Sequence, residues 1–251
     1  MLKRLLTRFS SIFSRKKDFR LASFNLDYQL YKALDKAGRF ATDPSDFFPC
    51  LDDNTTHSNF DGHYVYHPAW AARVVKTIDP KEHVDISSTL HFCTILSAFT
   101  KTTFYDFRPA EIHLDNLTSL KADLTNLHFD SGSIASLSCM HTLEHVGLGR
   151  YGDPIDPDGD LKAIQQLMRV CAPNGDLLVV VPVGKKRIMF NAHRIYDPEE
   201  FMSYFKGFTL ENFSLVTDDN NFIYDASFTT AAAQRYGCGC YWLKKQQNDH
   251  R

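Results

Sequence analysis

Apolar and polar positions change their period several times along the chain, and the changes divide it into segments. Within the first seventeen residues Leu2, Leu5, Leu6, Phe9, Ile12 and Phe13 recur at helical spacing, with Lys3, Arg4, Arg8, Arg15, Lys16 and Lys17 on the other face. Residues 19–40 continue in a helical pattern, with Gly38 placed as a C-cap. Residues 41–68 are polar and rich in turn formers, which predicts a long loop, and helix resumes after Pro68 in "AWAARVVKTI". Beyond it, apolar runs near 83–86, 102–106, 134–140 and 177–182, with a shorter one at 119–123, alternate with helix-length patterns at 90–98 and 160–171. That alternation predicts an α/β fold with a mostly parallel sheet wound by βαβ units and helices on both faces. "FTLENFSLV" and "GCGCYWLKK" read as strands with no full-length helix between them, so an antiparallel pair closes the sheet. The expected organisation is a basic amphipathic helix at 1–17, a helix and long loop at 18–67, and an α/β domain at 68–251.

Composition narrows the classes of function. The 251 residues are 43% hydrophobic and 23% charged, enough for one domain with a sizeable core. A net charge of -2 supplies no basic field, so nucleic acid is not an expected partner. Six cysteines are scattered; Cys93, Cys139 and Cys171 lie in apolar stretches, and Cys238 and Cys240 form C-x-C without a second pair. Reduced thiols in the cytoplasm, and no metal site, are the expectation. No apolar run is long enough to span a bilayer. Residues 1–17, with six cations and no acid, are too broken for a signal peptide; they suit the anionic cytoplasmic face of a membrane, or a helix docked on its own domain.

Candidate chemistry begins at "HVDISSTLHF", residues 83–92, where a strand runs through Asp85 into a turn without glycine. An acid about 20 residues after such a turn also fits a dinucleotide site, which keeps a nicotinamide-dependent enzyme as one alternative. A pyrophosphate, however, needs bare backbone amides, whereas Ser87 and Thr89 offer hydroxyls suited to a carboxylate. Asp106 and Asp123 fall at the ends of neighbouring strands, the edge where open α/β sheets bind ligands. After the fourth strand, His141, Glu144 and His145 have i, i+3, i+4 spacing, which could hold a metal ion although further ligands are not identifiable; His141 has a pKa suited to a general base, with Glu144 its orienter, and His145 is expected as a hydrogen-bonded structural histidine. "GLGRYGD" and "FNAHR" bring Arg150, Asn191, His193 and Arg194 toward the same mouth, with Arg150 and His193 as acceptor clamps. A network of loop-to-loop ion pairs is the alternative there. His57, His63 and His67 invite a metal reading too, but they are irregularly spaced within the expected loop, and solvated or capping roles are the expectation.

This order of stations resembles the class I S-adenosylmethionine-dependent methyltransferases, with their five parallel strands and terminal antiparallel pair. Asp85 ends the first strand and Asp106, 21 residues on, the second; "KADLTNLHFDSGSIASLSCMHTLEHV" and "LMRVCAPNGDLLVVVP" resemble the family's third to fifth strands. The resemblance, over residues 64–245, implies S-adenosylmethionine as cofactor. It would be held by Asp85, Ser87 and Thr89 around the methionine arm, Asp106 at the ribose hydroxyls, and Asp123 with Leu124 at the adenine. It further implies methyl transfer to a small-molecule or glycan acceptor, with surface-polysaccharide biosynthesis as the setting. "LEHVGLGRYGDPIDPDGD" and "VPVGKKRIMFNAHRIYDP" are similar to an uncharacterised bacterial family of methyltransferase-like proteins. A catalytically degenerate scaffold is the remaining alternative, since the family's first-loop glycines are missing.

Overall fold

The computed structural model describes residues 19–247, so the basic stretch at 1–17 lies outside the described residues. The described residues fall into two compact units, divided between Asn59 and Phe60. In the first unit a helix, α1, occupies residues 19–34. It stops short of the expected 40 because Asp35 turns the backbone, its carboxylate accepting from the Gly38 N–H at 2.9 Å. Phe47 packs edge-on against Phe24 and Tyr28, with centroids 5.3 and 4.6 Å away.

The second unit runs α2 (Gly62–Ile78), β1 (Glu82–Ile86), α3 (Leu90–Leu96), β2 (Lys101–Asp106), β3 (Leu117–Lys121), β4 (Ile134–Met140), α4 (Gly159–Val170) and β5 (Cys171–Val183). It continues with β6 (Arg187–Met189), β7 (His193–Ile195), α5 (Pro198–Ser203), β8 (Phe208–Val216), β9 (Phe222–Ile223), α6 (Phe228–Ala232) and β10 (Gly237–Lys245). The main sheet has the order β3-β2-β1-β4-β5-β10-β8-β9. The five strands β3, β2, β1, β4 and β5 pair in parallel, β10 adds antiparallel to β5, and β8 pairs antiparallel to β10, so an antiparallel pair closes the sheet as the sequence pattern predicts. β6 and β7 form a separate antiparallel hairpin.

The helix that was expected to resume after Pro68 starts at Gly62 and carries that proline inside it. Asp61 caps it, accepting from Tyr64 N–H. Burial of His63, His67, Trp70, Ala71, Val74 and Val75 along one side holds the turns before Pro68 in place, which outweighs the hydrogen bond the proline cannot make.

Each sheet face packs its own core. Along β5, Leu177, Val179, Val181 and Val183 join Ile164 and Leu167 of α4 and Phe201 of α5. Leu178 and Val180, on the other face, join Trp70 and Val74 of α2 and Phe92 and Leu96 of α3. Helices therefore cover both faces, and a continuous apolar run follows for the strand between them. Two-residue periodicity puts Cys238 and Cys240 of β10 together on the α2 side. Among the described residues no helix is long and apolar enough to cross a membrane.

Candidate active site

Two adjoining cavities open at the carboxyl ends of the parallel strands. The first, about 340 Å³, is lined by Ser87, Asp106, Ala122, Asp123 and Leu124, and closed by Val146, Gly147, Tyr151, Asp153 and Asp156. The second, about 440 Å³, is lined by Tyr64, Thr89, Glu144, Arg150, His193 and Tyr236 among others. Ser87, His141, His145 and Tyr151 line both, so the two share a wall.

In the first cavity the carboxylates end adjacent strands. Asp106 closes β2 and accepts from Arg108 N–H at 2.7 Å; Asp123 follows β3 and accepts from Thr125 N–H at 2.8 Å. Both are turn-capping contacts on one oxygen, and the second oxygen of each carboxylate stays available as an acceptor. Leu124 is a buried apolar wall beside them.

The glycine-free first turn keeps the backbone shape that glycine usually supplies. Ser87 takes φ 59°, a left-handed conformation costing a serine about 1 kcal/mol. Its N–H donates to Tyr105 O at 2.7 Å and its hydroxyl to the same oxygen at 3.2 Å. Ser88 Oγ accepts from Met140 N–H, and Thr89 Oγ1 caps α3 by accepting from Phe92 N–H. The three hydroxyls thus brace the turn against β2, β4 and α3. This corrects the expectation of a free donor at Ser87 alone, whose hydroxyl donates to Tyr105 O; Thr89 accepts from Phe92 N–H, and its own O–H remains a donor.

Asp85 is corrected as well. It is fully buried and lines neither cavity; it accepts from Ser88 N–H at 3.0 Å and from the Ser138 hydroxyl. Ser136 and Ser138 Oγ flank the two ring nitrogens of buried His83 at 2.8 Å each. Burial pushes Asp85 up to about 6 and His83 down to about 3. The expected ligand contact is a polar network under the turn.

His141, at φ 53°, follows β4 and donates or accepts through Nδ1 at 2.8 Å from Glu144 Oε1. Its Nε2 lies 3.4 Å from Cys238 Sγ. Burial pushes this imidazole down to about 3 and the Glu144 carboxyl up to about 7. The pairing expected of Glu144 is present, yet the role of general base is corrected: both His141 nitrogens have protein partners, Glu144 Oε1 and Cys238 Sγ, and neither is left to take a proton from an acceptor. His145 Nδ1 lies 2.6 Å from Ala192 O, and Arg150 donates to the same oxygen at 3.1 Å. The His193 ring packs at a tilt of 32° against that of Tyr236, with centroids 4.9 Å apart, and its Nε2 has no hydrogen-bond partner. Arg194 departs from the expected mouth. It is buried, donating to Val146 O at 2.6 Å and Pro157 O at 3.1 Å and pairing with Asp160 at 3.5 Å, so it straps the loop that roofs the first cavity. Asn191 is exposed and lines neither cavity.

The roof depends on Gly147, at φ 80°, where a Cβ would sit 2.0 Å from Asp156 O. Asp153 gathers the loop by accepting from Gly147, Gly149 and Tyr151 N–H groups. Tyr151, on the shared wall, lies between Arg108 and Arg150, whose guanidinium carbons are 4.9 and 5.1 Å from its ring centroid.

Solved structures share this fold. The N-methyltransferase NodS from Bradyrhizobium japonicum, in complex with S-adenosyl-L-homocysteine, superposes with a TM-score of 0.54 at 13% identity, over 79% of this chain and 92% of that one. The chain has the class I methyltransferase fold. Two others with this fold are 1,6-didemethyltoxoflavin-N1-methyltransferase from Burkholderia thailandensis, with 1,6-didemethyltoxoflavin and S-adenosylhomocysteine bound, and the [4+2]-cyclase SpnF. Their TM-scores are both 0.51, at 11% and 12% identity, over 72% and 71% of this chain and 79% and 80% of theirs. Residues 110–234 match the family described as Caenorhabditis protein of unknown function, DUF268, a span that holds both stretches by which the sequence resembles an uncharacterised family. No curated protein matches in sequence.

On this methyltransferase fold the sequence reading missed one group. His63 and His67 are buried, one helical turn apart on α2. The His63 ring stacks on that of His141 at 5.3 Å, and the His67 ring meets it edge-on at 5.0 Å. Spacing H-x-x-x-H is the signal for such a pair, but it was hidden by placing the start of the helix after Pro68.

Proposed function

We propose that this chain transfers a methyl group from S-adenosylmethionine to a small polar acceptor held in the second cavity. The observation that carries the reading is the pair of carboxylates at adjacent strand ends, in a cavity sharing a wall with a second, more polar one. The residues fit the cofactor: Asp106 and Asp123 each have a carboxylate oxygen to accept from ribose hydroxyls and an adenine amine, Leu124 offers an apolar wall, and the cavity volume lies in the range of small-molecule sites. Bound there, S-adenosylmethionine supplies a methyl group on an electrophilic sulfonium.

The chain's own residues then bind and orient the acceptor. Arg150 has guanidinium donors beyond those given to Ala192 O and takes a carboxylate, phosphate or sugar hydroxyl. Tyr64 and Tyr236 line the same cavity. His193, with burial holding its imidazole below the usual range and Nε2 unpartnered, is a neutral base at pH 7 and replaces His141 as the group that receives the acceptor's proton. The Gly147–Asp156 segment forms one wall of the first cavity, over the carboxylates at the strand ends. A glycan acceptor in surface-polysaccharide synthesis, and attachment of residues 1–17 to an anionic membrane face, complete the proposal. One observation favours the scaffold reading: the Ser87 hydroxyl donates to Tyr105 O, and those of Ser88 and Thr89 accept from the protein's own backbone.

Calorimetry separates the two. Binding of S-adenosylmethionine or S-adenosylhomocysteine is expected in the micromolar range, about 8 kcal/mol. Asp106→Ala should weaken it about tenfold or more, through loss of a charge-assisted partner. No heat and no thermal shift at millimolar ligand would leave the scaffold.

A further inference from the structure

The geometry points to a site for a divalent metal ion of the zinc class, held by His63, His141 and Cys238 and bordering the second cavity through His141. It is independent of the methyl-donor reading, because metal binding is measured without cofactor or acceptor.

Three segments far apart in sequence bring the donors together. His63 lies in the first turn of α2, His141 immediately follows β4, and Cys238 projects from β10 toward the α2 side. One donor atom from each lies within 4.8 Å of the other two, and all three residues are buried. The 3.4 Å between His141 Nε2 and Cys238 Sγ already matches a tetrahedral zinc site. With Zn–N about 2.0–2.1 Å and Zn–S about 2.3 Å, the tetrahedral angle puts nitrogen and sulfur about 3.5 Å apart.

The surroundings have the form that metal-bound imidazoles require, in which the ring nitrogen not on the metal is fixed by a carboxylate or carbonyl. Glu144 Oε1 lies 2.8 Å from His141 Nδ1, and Tyr236 O lies 3.1 Å from His63 Nε2. The Glu144 contact sets the tautomer that leaves a lone pair on His141 Nε2, facing the thiol.

A second, independent observation comes from unpartnered atoms. Four buried side-chain polar atoms among the described residues have no hydrogen-bond partner, and three belong to this neighbourhood: His67 Nε2, Glu144 Oε2 and His193 Nε2. Buried polar groups are otherwise almost always paired. His67 is wholly buried, with its Nδ1 against His63 O at 2.5 Å and its ring edge-on to that of His141 at 5.0 Å, so its unpartnered Nε2 belongs to the same buried histidine cluster without being one of the three converging donors. A dication would also offset the buried Glu144 carboxylate. Imidazole and thiolate donors select zinc over magnesium or calcium. On binding, the Cys238 S–H bond gives way to a metal–sulfur bond and its proton passes to solvent, one proton released per metal.

The test uses the full chain, stripped with a chelator and titrated with zinc against a chromophoric competitor. One zinc per chain is expected. Cys238→Ser and His63→Gln should each weaken binding at least about 100-fold, Glu144→Gln about 10- to 100-fold, and Cys50→Ser, at an exposed position remote in sequence, not at all. Cobalt should give a thiolate charge-transfer absorption that Cys238→Ser abolishes. Should that variant fail to fold, X-ray absorption of the wild-type zinc protein decides: one sulfur with nitrogen neighbours supports the site, and a shell of oxygens overturns it. Failure to retain stoichiometric zinc, or unchanged affinity in a folded Cys238→Ser variant, overturns it equally.

Discussion

Replacing Asp85 by asparagine should stabilise the protein at neutral pH and leave it unchanged in acid. The carboxyl is fully buried, and burial raises it from 3.8 to about 6. A rise of about two pKa units corresponds to about 3 kcal/mol, an upper figure for the stability lost when this group ionises in place. Between roughly pH 4 and 6 the folded protein carries more protons at Asp85 than the unfolded chain, so stability contributed here falls as pH rises through that window and is level above it. His83 slopes the other way, because burial lowers it from 6.5 to about 3 and the unfolded chain binds the extra proton. The difference between variant and wild type cancels His83 and isolates Asp85. Asp85→Asn can keep the network satisfied: the amide oxygen still accepts from Ser88 N–H, the amide nitrogen donates to Ser138 Oγ, and Ser138 turns to donate to His83, which exchanges tautomers toward Ser136. Urea unfolding of both proteins from pH 4 to 8 at fixed ionic strength should give a difference near zero at pH 4, growing to at most about 3 kcal/mol in favour of Asp85→Asn by pH 6.5. A difference that does not change with pH, or a variant less stable than wild type at pH 7, would refute the account of the network.

Gly147→Ala puts a Cβ against Asp156 O at a left-handed φ, and should cost about 2–4 kcal/mol while weakening S-adenosylhomocysteine binding; thermal melts and calorimetry check both, and an unchanged melt would contradict the roof geometry. Full-length protein should sediment with anionic vesicles but not neutral ones, and less so in high salt, whereas a chain starting at Asp18 should stay in the supernatant. Equal behaviour of the two chains would remove residues 1–17 from membrane binding.

Much of the sheet was legible because strand and helix periods differ and turn residues separate them. The runs at 208–216 and 237–245 match β8 and β10, and the parallel strands fall within a few residues of their predicted limits. The carboxylates at the strand ends were legible for the same reason: once strand order is known, Asp106 and Asp123 must lie at one edge. Side-chain direction was not. Nothing local distinguishes Asp85, facing into the sheet toward Ser138, from an acid facing a ligand, and Arg194 reads like Arg150 until the carbonyls of Val146 and Pro157 surround it. Pro68 misled most. Read as a helix start, it assigned His63 and His67 to a loop, where their one-turn spacing carried no meaning, and C-x-C gained significance only when β10 faced them.

The last strand in the chain is not last in the sheet: β10 lies between β5 and β8. During vectorial synthesis β5 therefore leaves the ribosome with "LLVVVPV" presenting an unpaired edge, and must wait until more than fifty further residues have been translated before its antiparallel neighbour arrives. An open, valine-rich edge is a template for pairing with other chains. The interval between β5 and β10 is thus the period in which a nascent chain is most exposed to aggregation. Truncated products lacking residues 237–245 should be found with chaperones or in inclusion bodies, because their sheet has no strand to seal its centre.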